Sequence, residues 1–200
     1  MSYAWRSLTP ELRKLFLLQR KRLKRPWHRP PHFEQRTLHY HLTGSCYEHQ
    51  YWIGCSAERM GDFSQRLVEA IETNTNHAPA AWCVLPNHYH VLVRAEEVKP
   101  VVAELARLHG RTSFEWNREE NARGRKIWHG VADRAMRGEG HFWATINYIH
   151  HNPVKHGHVE KWDDWPFSSA IGYLDEVGRD EATRTWKAYP ILDYGKGWDD

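Results

Sequence analysis

The sequence has few cysteines and no long apolar run, and each absence excludes a class of protein. It contains 3 cysteines in 200 residues, namely Cys46, Cys55 and Cys83, and no two of them form a C-x-x-C pair. An odd, widely spaced set argues against a disulfide framework and against a thiolate zinc site. Buried thiols are therefore expected. No segment approaches the ~20 apolar residues that cross a bilayer, and the first ten residues lack the apolar core of a secretory signal. We expect a cytoplasmic protein with no membrane partner.

Positive charge is concentrated near the amino terminus. The formal net charge is only +3, but the range 13–29 holds eight Lys or Arg residues and no acid. Such a segment is typical of a surface that binds a polyanion, although a helix face exposed to solvent explains the charge equally well. The range 9–11 supplies a capping hydroxyl, a proline and an acid, which predict the start of an amphipathic basic helix. The range 26–32 is too rich in proline to continue it and is read as an extended connector.

Hydrophobic periodicity predicts a single α+β domain. Helical spacing predicts helices over 62–72, from Pro100 through Trp116, and over 141–151, the last stopped at Asn152-Pro153 because proline disfavours helix in the residue before it. Alternation predicts a strand over 37–43 ended by Gly44, a hairpin of 80–85 and 90–95 around Pro86-Asn87, and a short strand at Ile127-Trp128. This order favours a ferredoxin-like antiparallel sheet flanked by helices. We divide the chain into a basic extension with its connector (1–35), a catalytic domain (36–170) and an acidic tail (171–200).

Three H-x-H pairs are candidate metal sites. They are His39/His41, His88/His90 and His156/His158. Residues two apart on a strand face the same side, so two imidazoles could share one ion. With 15 histidines in the chain, about one such pair is expected by chance, so spacing alone does not choose among them. The second pair follows a turn and opens an apolar strand, which is a rigid setting for a site. The first pair, also in a predicted strand, remains a competitor, and the third is expected on the surface.

Tyr148 and Asn152 lie four residues apart and therefore on one face of a helix. The Asn152 carbonyl oxygen could join two imidazoles as a third metal ligand, leaving open positions for water and phosphate oxygens. Such mixed ligands favour Mg²⁺ or Mn²⁺ over zinc. The phenol of Tyr148 would then attack a polarised phosphate, which suits cleavage of a phosphodiester. The alternative is that Tyr148 is an ordinary helix residue and that Asn152-Pro153 only ends the helix.

Three separated motifs, taken together, carry a family resemblance. LPNHYHVLV (85–93), NYIHHNPVKHG (147–157) and WPFSSA (165–170) occur in the order found in the single-tyrosine HUH transposases, and the chain resembles in particular the REP-associated tyrosine transposases over about residues 36–170. The ordered occurrence of three motifs makes the resemblance specific. It selects the second H-x-H pair, which the spacing of histidines could not do.

The resemblance implies a fold, a reaction and a set of site residues. The fold is ferredoxin-like. The reaction is cleavage of single-stranded DNA that leaves a 5′-phosphotyrosine and a free 3′-hydroxyl, and the substrates are short palindromes that fold into hairpins. By the same resemblance His88 and His90 are the metal-binding pair, Asn152 is the third ligand and Tyr148 is the nucleophile. The REP-associated branch implies a monomer, whereas the wider family includes dimers that exchange helices.

Two features depart from the family pattern, and two other functions stay open. The basic helix precedes the usual first strand, and we hypothesise that Arg20, Lys21, Arg22, Lys24 and Arg25 hold the phosphates of a hairpin stem. His151, three residues after Tyr148, could assist proton transfer.

A hairpin-binding regulator that does not cleave DNA would share the fold and the basic surface. A metal-dependent RNA-binding module would respond to the 2′-hydroxyl and form no covalent adduct.

Overall fold

The computed structural model describes residues 38–192 and 194–195, together with Thr9, Glu11 and Leu18. In this part of the chain four antiparallel strands form one sheet in the order β2-β3-β1-β4. The strands are β1 (His39–Ser45), β2 (Ala81–Leu85), β3 (His88–Arg94) and β4 (Ala132–Ala135). The helices are α1 (Ala57–Thr75), α2 (Val98–Glu119), α3 (Glu139–Lys155), α4 (Ala170–Val177) and α5 (Arg179–Ala188). The sequence β1-α1-β2-β3-α2-β4 with this strand order is the ferredoxin-like arrangement, so the predicted fold class is confirmed.

The amino-terminal prediction falls almost wholly outside the described residues. Glu11 and Leu18 are helical. The proline-rich connector and the five basic residues proposed to hold DNA, which are Arg20, Lys21, Arg22, Lys24 and Arg25, lie outside the described part, so their roles stay predictions. The predicted division of the chain at residues 35 and 170 likewise stays a prediction.

The sheet separates two layers of buried side chains. Side chains alternate between the faces of a strand. Tyr40, Leu42, Tyr89 and Val91 accordingly lie in a core with residues of α1 and α2 such as Phe63. The opposite face is covered by α3. There a smaller cluster joins residues of β2 and β3 to α3, and its members include Cys83, Leu85, Leu92, Ile146, Tyr148 and Ile149. All the histidines of β1 and β3 face this second layer, because each lies an odd number of residues from the first set.

The sequence predicted that Gly44 ends the first strand, and this prediction is wrong. β1 continues through it to Ser45, and Gly44 pairs with Tyr89 of β3. A Cβ at residue 44 would overlap the ring of Tyr89. Glycine is present there because an aromatic ring passes over the backbone, which is a different use of glycine from a turn. The predicted hairpin of β2 and β3 is confirmed, with Leu85 paired to His88 across Pro86-Asn87.

α1 and α2 begin earlier than their apolar patterns suggest. α1 starts after Ser56, whose hydroxyl accepts a hydrogen bond from the Arg59 amide at 3.1 Å, and it ends at Asn76, which has the left-handed conformation common at the ends of helices. α2 starts at Val98 and carries Pro100 in its first turn. The first-turn amides have no partner within a helix, so a proline there removes no hydrogen bond.

The prediction of a short strand at Ile127-Trp128 is wrong. Trp128 forms one isolated bridge with Cys46, and the fourth strand is β4, which pairs with β1 at the sheet edge. β4 has only four residues, and its sequence ADRA lacks apolar alternation. An edge strand half exposed to solvent tolerates charged side chains, which hides it from a hydrophobic pattern.

The prediction that α3 stops at Asn152 is also wrong, because the helix continues through Pro153 to Lys155. Pro153 has no amide proton, so it cannot donate to the carbonyl of Ile149, the residue four before it in the helix. The backbone carbonyls of Asn152 and Pro153 still accept hydrogen bonds, from the amides of His156 at 3.1 Å and His158 at 2.9 Å. Asn152 and Pro153 are buried. Packing of this face therefore overrides the local preference against helix before proline.

The region that the sequence analysis described only as an acidic tail contains two helices in its described part. It forms α4 and α5, and Asn147 of α3 donates a hydrogen bond to the Tyr189 carbonyl at 2.9 Å. Cys46 and Cys83 are buried as expected, whereas Cys55 is exposed. Among the described residues, no helix has the length and apolar character needed to cross a membrane.

Two buried histidines remain uncharged in the folded protein. His109 stacks on Trp128 with ring centroids 4.1 Å apart and meets the Tyr89 hydroxyl at 3.0 Å. Burial lowers its pKa to about 3. His150 lies against Trp162, contacts the Ser169 hydroxyl at 2.9 Å, and has its pKa lowered by burial to about 4. Both rings take up protons more readily in the unfolded chain, where the pKa is about 6.5.

We therefore expect the free energy of unfolding to fall as the pH drops below about 6.5. The unfolded state binds more protons than the folded state in this range, so the stability from neutral burial is fully present above the unfolded pKa and is lost below it. Each histidine should contribute a loss of about 2 kcal/mol at about pH 5. Urea unfolding between about pH 8 and about pH 5 measures it. His109→Gln should make the free energy of unfolding depend less steeply on pH, and replacement of the exposed His77 by glutamine should not. Equal slopes in the two variants would contradict the assignment of this pH dependence to His109.

Candidate active site

His88 opens β3 with its ring orientation fixed by the preceding turn. Its Nδ1 lies 2.7 Å from the Asn87 Oδ1. Asn87 uses its Nδ2 to donate to the His49 carbonyl at 3.3 Å, so its Oδ1 is the atom turned toward His88. An amide oxygen only accepts, and His88 Nδ1 must therefore carry a proton. In the neutral ring Nε2 then presents a lone pair, which is the form that binds a metal.

Asn152 brings an oxygen to that lone pair from the opposite layer. Its Oδ1 lies 3.2 Å from His88 Nε2, and its side chain is fully buried. With the His88 ring neutral, both of these atoms are acceptors, and Asn152 Nδ2 has no hydrogen-bond partner among the described residues. A cation at this point would be coordinated by both atoms. The donor chemistry therefore fits a hard divalent ion.

His90 completes the predicted pair. Its ring centroid lies 5.0 Å from that of His88, and the ring is fully buried. Nδ1 of His90 is engaged by the Thr43 hydroxyl at 3.0 Å and by Nε2 of His41 at 3.1 Å. A metal would consequently take Nε2. In the described part of the chain no three His, Cys, Asp or Glu side chains are arranged to hold a metal, so the candidate donor set is two imidazoles and one amide oxygen.

The three H-x-H pairs do not act as separate alternatives. His41 of the first pair contacts His90 of the second, because β1 pairs with β3 and Thr43 lies opposite His90. His156 of the third pair is exposed, as expected, but its ring centroid lies 5.0 Å from that of His88. The sequence placed the first pair in a strand but could not say which strand it would pair with.

Tyr148 lies beside the histidine pair, one helical turn before Asn152. Its ring centroid is 5.2 Å from that of His90 and 6.0 Å from that of His41. The fold thus brings together the predicted nucleophile and all three predicted ligands. His151 is elsewhere: its ring lies 5.1 Å from that of Trp186 in α5. The geometry gives no support to its suggested role in proton transfer.

Residues 194–195 cover Tyr148, a contact that the sequence did not suggest. Tyr148 is only 1% exposed. A Cβ at Gly195 would overlap the Tyr148 ring, and Lys155 holds this segment by donating to the Gly195 carbonyl at 3.3 Å. Tyr194 lies 2.7 Å from the Thr145 hydroxyl through its own hydroxyl. A phosphate can reach the phenol oxygen only after this segment moves.

Comparison with known proteins finds relatives that are similar to this chain in sequence. No family model matches the chain. A putative REP-associated tyrosine transposase of Haemophilus influenzae is 27% identical over 125 residues, covering 54% of this chain and 69% of that protein. The REP-associated tyrosine transposase of Escherichia coli K12 is 30% identical over 117 residues, covering 58% of this chain and 66% of that protein. The chain belongs with the REP-associated tyrosine transposases.

A solved structure of a REP-associated tyrosine transposase bound to a REP hairpin has the same fold. It matches with a TM-score of 0.53 over 76% of this chain and 87% of that chain, at 18% sequence identity. At this identity the match supports the fold, and the roles of individual residues in this chain depend on the geometry described above.

The cover over Tyr148 predicts the effect of a methyl group at residue 195. Gly195→Ala should push the segment away from the ring, because the new Cβ would overlap Tyr148. We expect faster nitration of Tyr148 by tetranitromethane, measured by peptide mass spectrometry. Gly124→Ala is the matched control, since Gly124 also has a positive φ, of 86°, but a Cβ added there would meet no atom within 4 Å. Unchanged reactivity of Tyr148 in Gly195→Ala would show that the segment does not limit access.

Proposed function

We propose that the protein is a metal-dependent single-stranded DNA endonuclease and strand transferase that acts on palindromic hairpin DNA through a 5′-phosphotyrosine. The observation that carries this proposal is the meeting of Asn152 Oδ1 with His88 Nε2 at 3.2 Å, one helical turn from a tyrosine whose ring lies against His90. A cation there would sit next to the phenol of Tyr148. The relatives named as REP-associated tyrosine transposases support the same reaction class.

The chain would hold Mg²⁺ or Mn²⁺ through Nε2 of His88, Nε2 of His90 and Oδ1 of Asn152. When bound, the cation supplies charge that polarises the scissile phosphate. Asn87 keeps the His88 ring in its ligating orientation, and the two layers fix the three donors on rigid elements.

Tyr148 performs the displacement. Its Oη forms a bond to phosphorus while the bond from phosphorus to the 3′-oxygen breaks; the phenol loses one proton, and the departing oxygen gains one to become a 3′-hydroxyl. Rejoining reverses the same exchange when a 3′-hydroxyl returns.

The substrate is proposed from the relatives and from charge. A REP-associated transposase has been solved with a REP hairpin, and we propose that this chain binds a hairpin of the same kind. Arg20, Lys21, Arg22, Lys24 and Arg25 would hold stem phosphates, which raises affinity and salt sensitivity without reading bases. We further propose that the protein works as a monomer in the cytoplasm.

A hairpin-binding regulator without cleavage is the second candidate. The cover of Tyr148 by Gly195 favours it, because a protein that only binds DNA has no need to uncover the phenol. Both candidates predict hairpin binding. They differ in whether a covalent adduct forms.

Tyr148→Phe should abolish the covalent adduct. Wild-type protein incubated with single-stranded hairpin DNA and Mn²⁺ should give a protein–DNA species that survives denaturation, and the variant should give none, because phenylalanine has no oxygen to bond to phosphorus. Tyr173→Phe on α4 is the control and should retain the adduct. An adduct that persists in Tyr148→Phe would remove this residue as nucleophile. If wild-type protein binds the hairpin but never forms an adduct, the regulator is favoured.

Asn152 should be replaceable only by another oxygen ligand. Asn152→Asp keeps an oxygen at the position of Oδ1 and should retain Mn²⁺ binding, whereas Asn152→Leu has a similar volume and no donor atom. We expect Asn152→Leu to lose Mn²⁺ affinity and adduct formation while its hairpin affinity without metal is unchanged. The affinity is measured by titrating each variant with Mn²⁺ and recording the electron paramagnetic resonance signal of the free ion. Equal Mn²⁺ affinity in the two variants would exclude Asn152 as a ligand.

A further inference from the structure

We propose that His41 is a positioning residue, which holds His90 in the tautomer whose Nε2 can bind a metal, and that Tyr194 in turn fixes His41. This inference rests on the proposed function, because it assigns a role to a group behind a metal ligand. His41 is almost fully buried at 2% exposure and lies in β1, outside the motifs that identified the site. Its chemistry follows from where the protons must go.

His90 can bind a metal through Nε2 only in one tautomer. A neutral imidazole that ligates through Nε2 must carry its proton on Nδ1. His90 Nδ1 contacts Nε2 of His41 at 3.1 Å and the hydroxyl of Thr43 at 3.0 Å. The hydroxyl can rotate to donate or accept and so accommodates either tautomer of His90. Of these two groups only His41 can impose a choice, provided that its own Nε2 is restricted to accepting.

Hydrogen bonds continue outward from His41 to the backbone of α3. Nδ1 of His41 lies 3.5 Å from the Tyr194 hydroxyl, and that hydroxyl lies 2.7 Å from Oγ1 of Thr145. Thr145 is also 2.7 Å from the His141 carbonyl, which has no proton to give. The Thr145 hydroxyl has a single proton, which it must donate to the His141 carbonyl. The contact between Thr145 and Tyr194 therefore needs the proton of the Tyr194 hydroxyl, so Tyr194 is the donor there.

The direction of these bonds fixes both tautomers. With its proton directed at Thr145, the Tyr194 oxygen is left as an acceptor for His41. His41 then carries its proton on Nδ1, and its Nε2 accepts from Nδ1 of His90. A backbone carbonyl that can only accept thus sets the direction of every hydrogen bond in the series, through to the imidazole next to Tyr148. Outer partners of this kind orient a metal ligand and raise its basicity.

Fixing the tautomer has a measurable consequence. Free histidine favours the proton on Nε2, so His90 without His41 would have to exchange its tautomer before it could bind a metal. Loss of such an outer partner typically weakens metal affinity about 10- to 100-fold.

The experiment uses the full-length protein and two readouts. The first is a long-range ¹H–¹⁵N correlation spectrum of metal-free, ¹⁵N-histidine-labelled protein at a pH where imidazoles are neutral, with the His90 signals identified by their absence in His90→Ala. We expect the Nδ1-protonated form of His90 in wild type and a shift toward the Nε2-protonated form in His41→Leu. The second readout is Mn²⁺ affinity, which we expect to fall about tenfold or more in His41→Leu.

Three further variants separate His41 from its neighbours. His41→Gln places an amide oxygen near the position of Nε2 and should restore both readouts, which a purely packing role would not produce. His39→Leu alters a histidine on the same face of the same strand and should change neither readout. Thr43→Val should leave the His90 tautomer intact, because His41 still accepts its proton.

The outcomes distinguish this inference from the proposed function. The inference is overturned if His41→Leu leaves either the His90 tautomer or the Mn²⁺ affinity unchanged. It is also overturned if the tautomer of His90 shifts in Thr43→Val and not in His41→Leu. If wild-type protein binds no Mn²⁺, the proposed metal-dependent function fails and the positioning role falls with it. If wild type binds Mn²⁺ through His88 and Asn152 while His41→Leu behaves like wild type, only the inference fails.

Discussion

The antiparallel pairing of β1 with β3 determines which side chains meet beneath α3. In the observed register Thr43 lies opposite His90 and Ser45 opposite His88, so the histidines of both strands share one face. A slip of one residue would turn the β1 side chains to the other layer, and His41 would lie among the core residues of α1 and α2. The close passage of Tyr89 over Gly44 helps to fix this register, because a larger residue at 44 would overlap the ring.

The second layer adds an amide oxygen and a phenol to the histidines of the sheet. Both come from α3, whose buried face carries Tyr148 and Asn152 one turn apart. Asn152 lies inside this helix and not at its end because α3 continues past Pro153, and that continuation depends on packing and not on local preference. The same layer then covers the phenol with residues 194–195, so the site is assembled and shielded by one set of contacts.

Local chemistry made part of the fold and of the site predictable from the sequence. A proline-asparagine pair between apolar runs predicted the hairpin that carries His88, and helical spacing predicted that Tyr148 and Asn152 share a face. Three features depended on contacts between distant parts of the chain and escaped that reasoning. They are the pairing that brings His41 to His90, the charged edge strand β4, and the placement of Gly195 on Tyr148. In the case of Pro153, a local rule was correct as a tendency and was overridden by burial.

The central claim is that one divalent cation binds between the two layers, next to Tyr148. The most direct measurement is an anomalous diffraction map from crystals of the protein soaked in Mn²⁺. We predict a single strong peak within bonding distance of His88 Nε2, His90 Nε2 and Asn152 Oδ1. A map with no peak there, and with His88 and Asn152 still in direct contact at a saturating Mn²⁺ concentration, would contradict the claim.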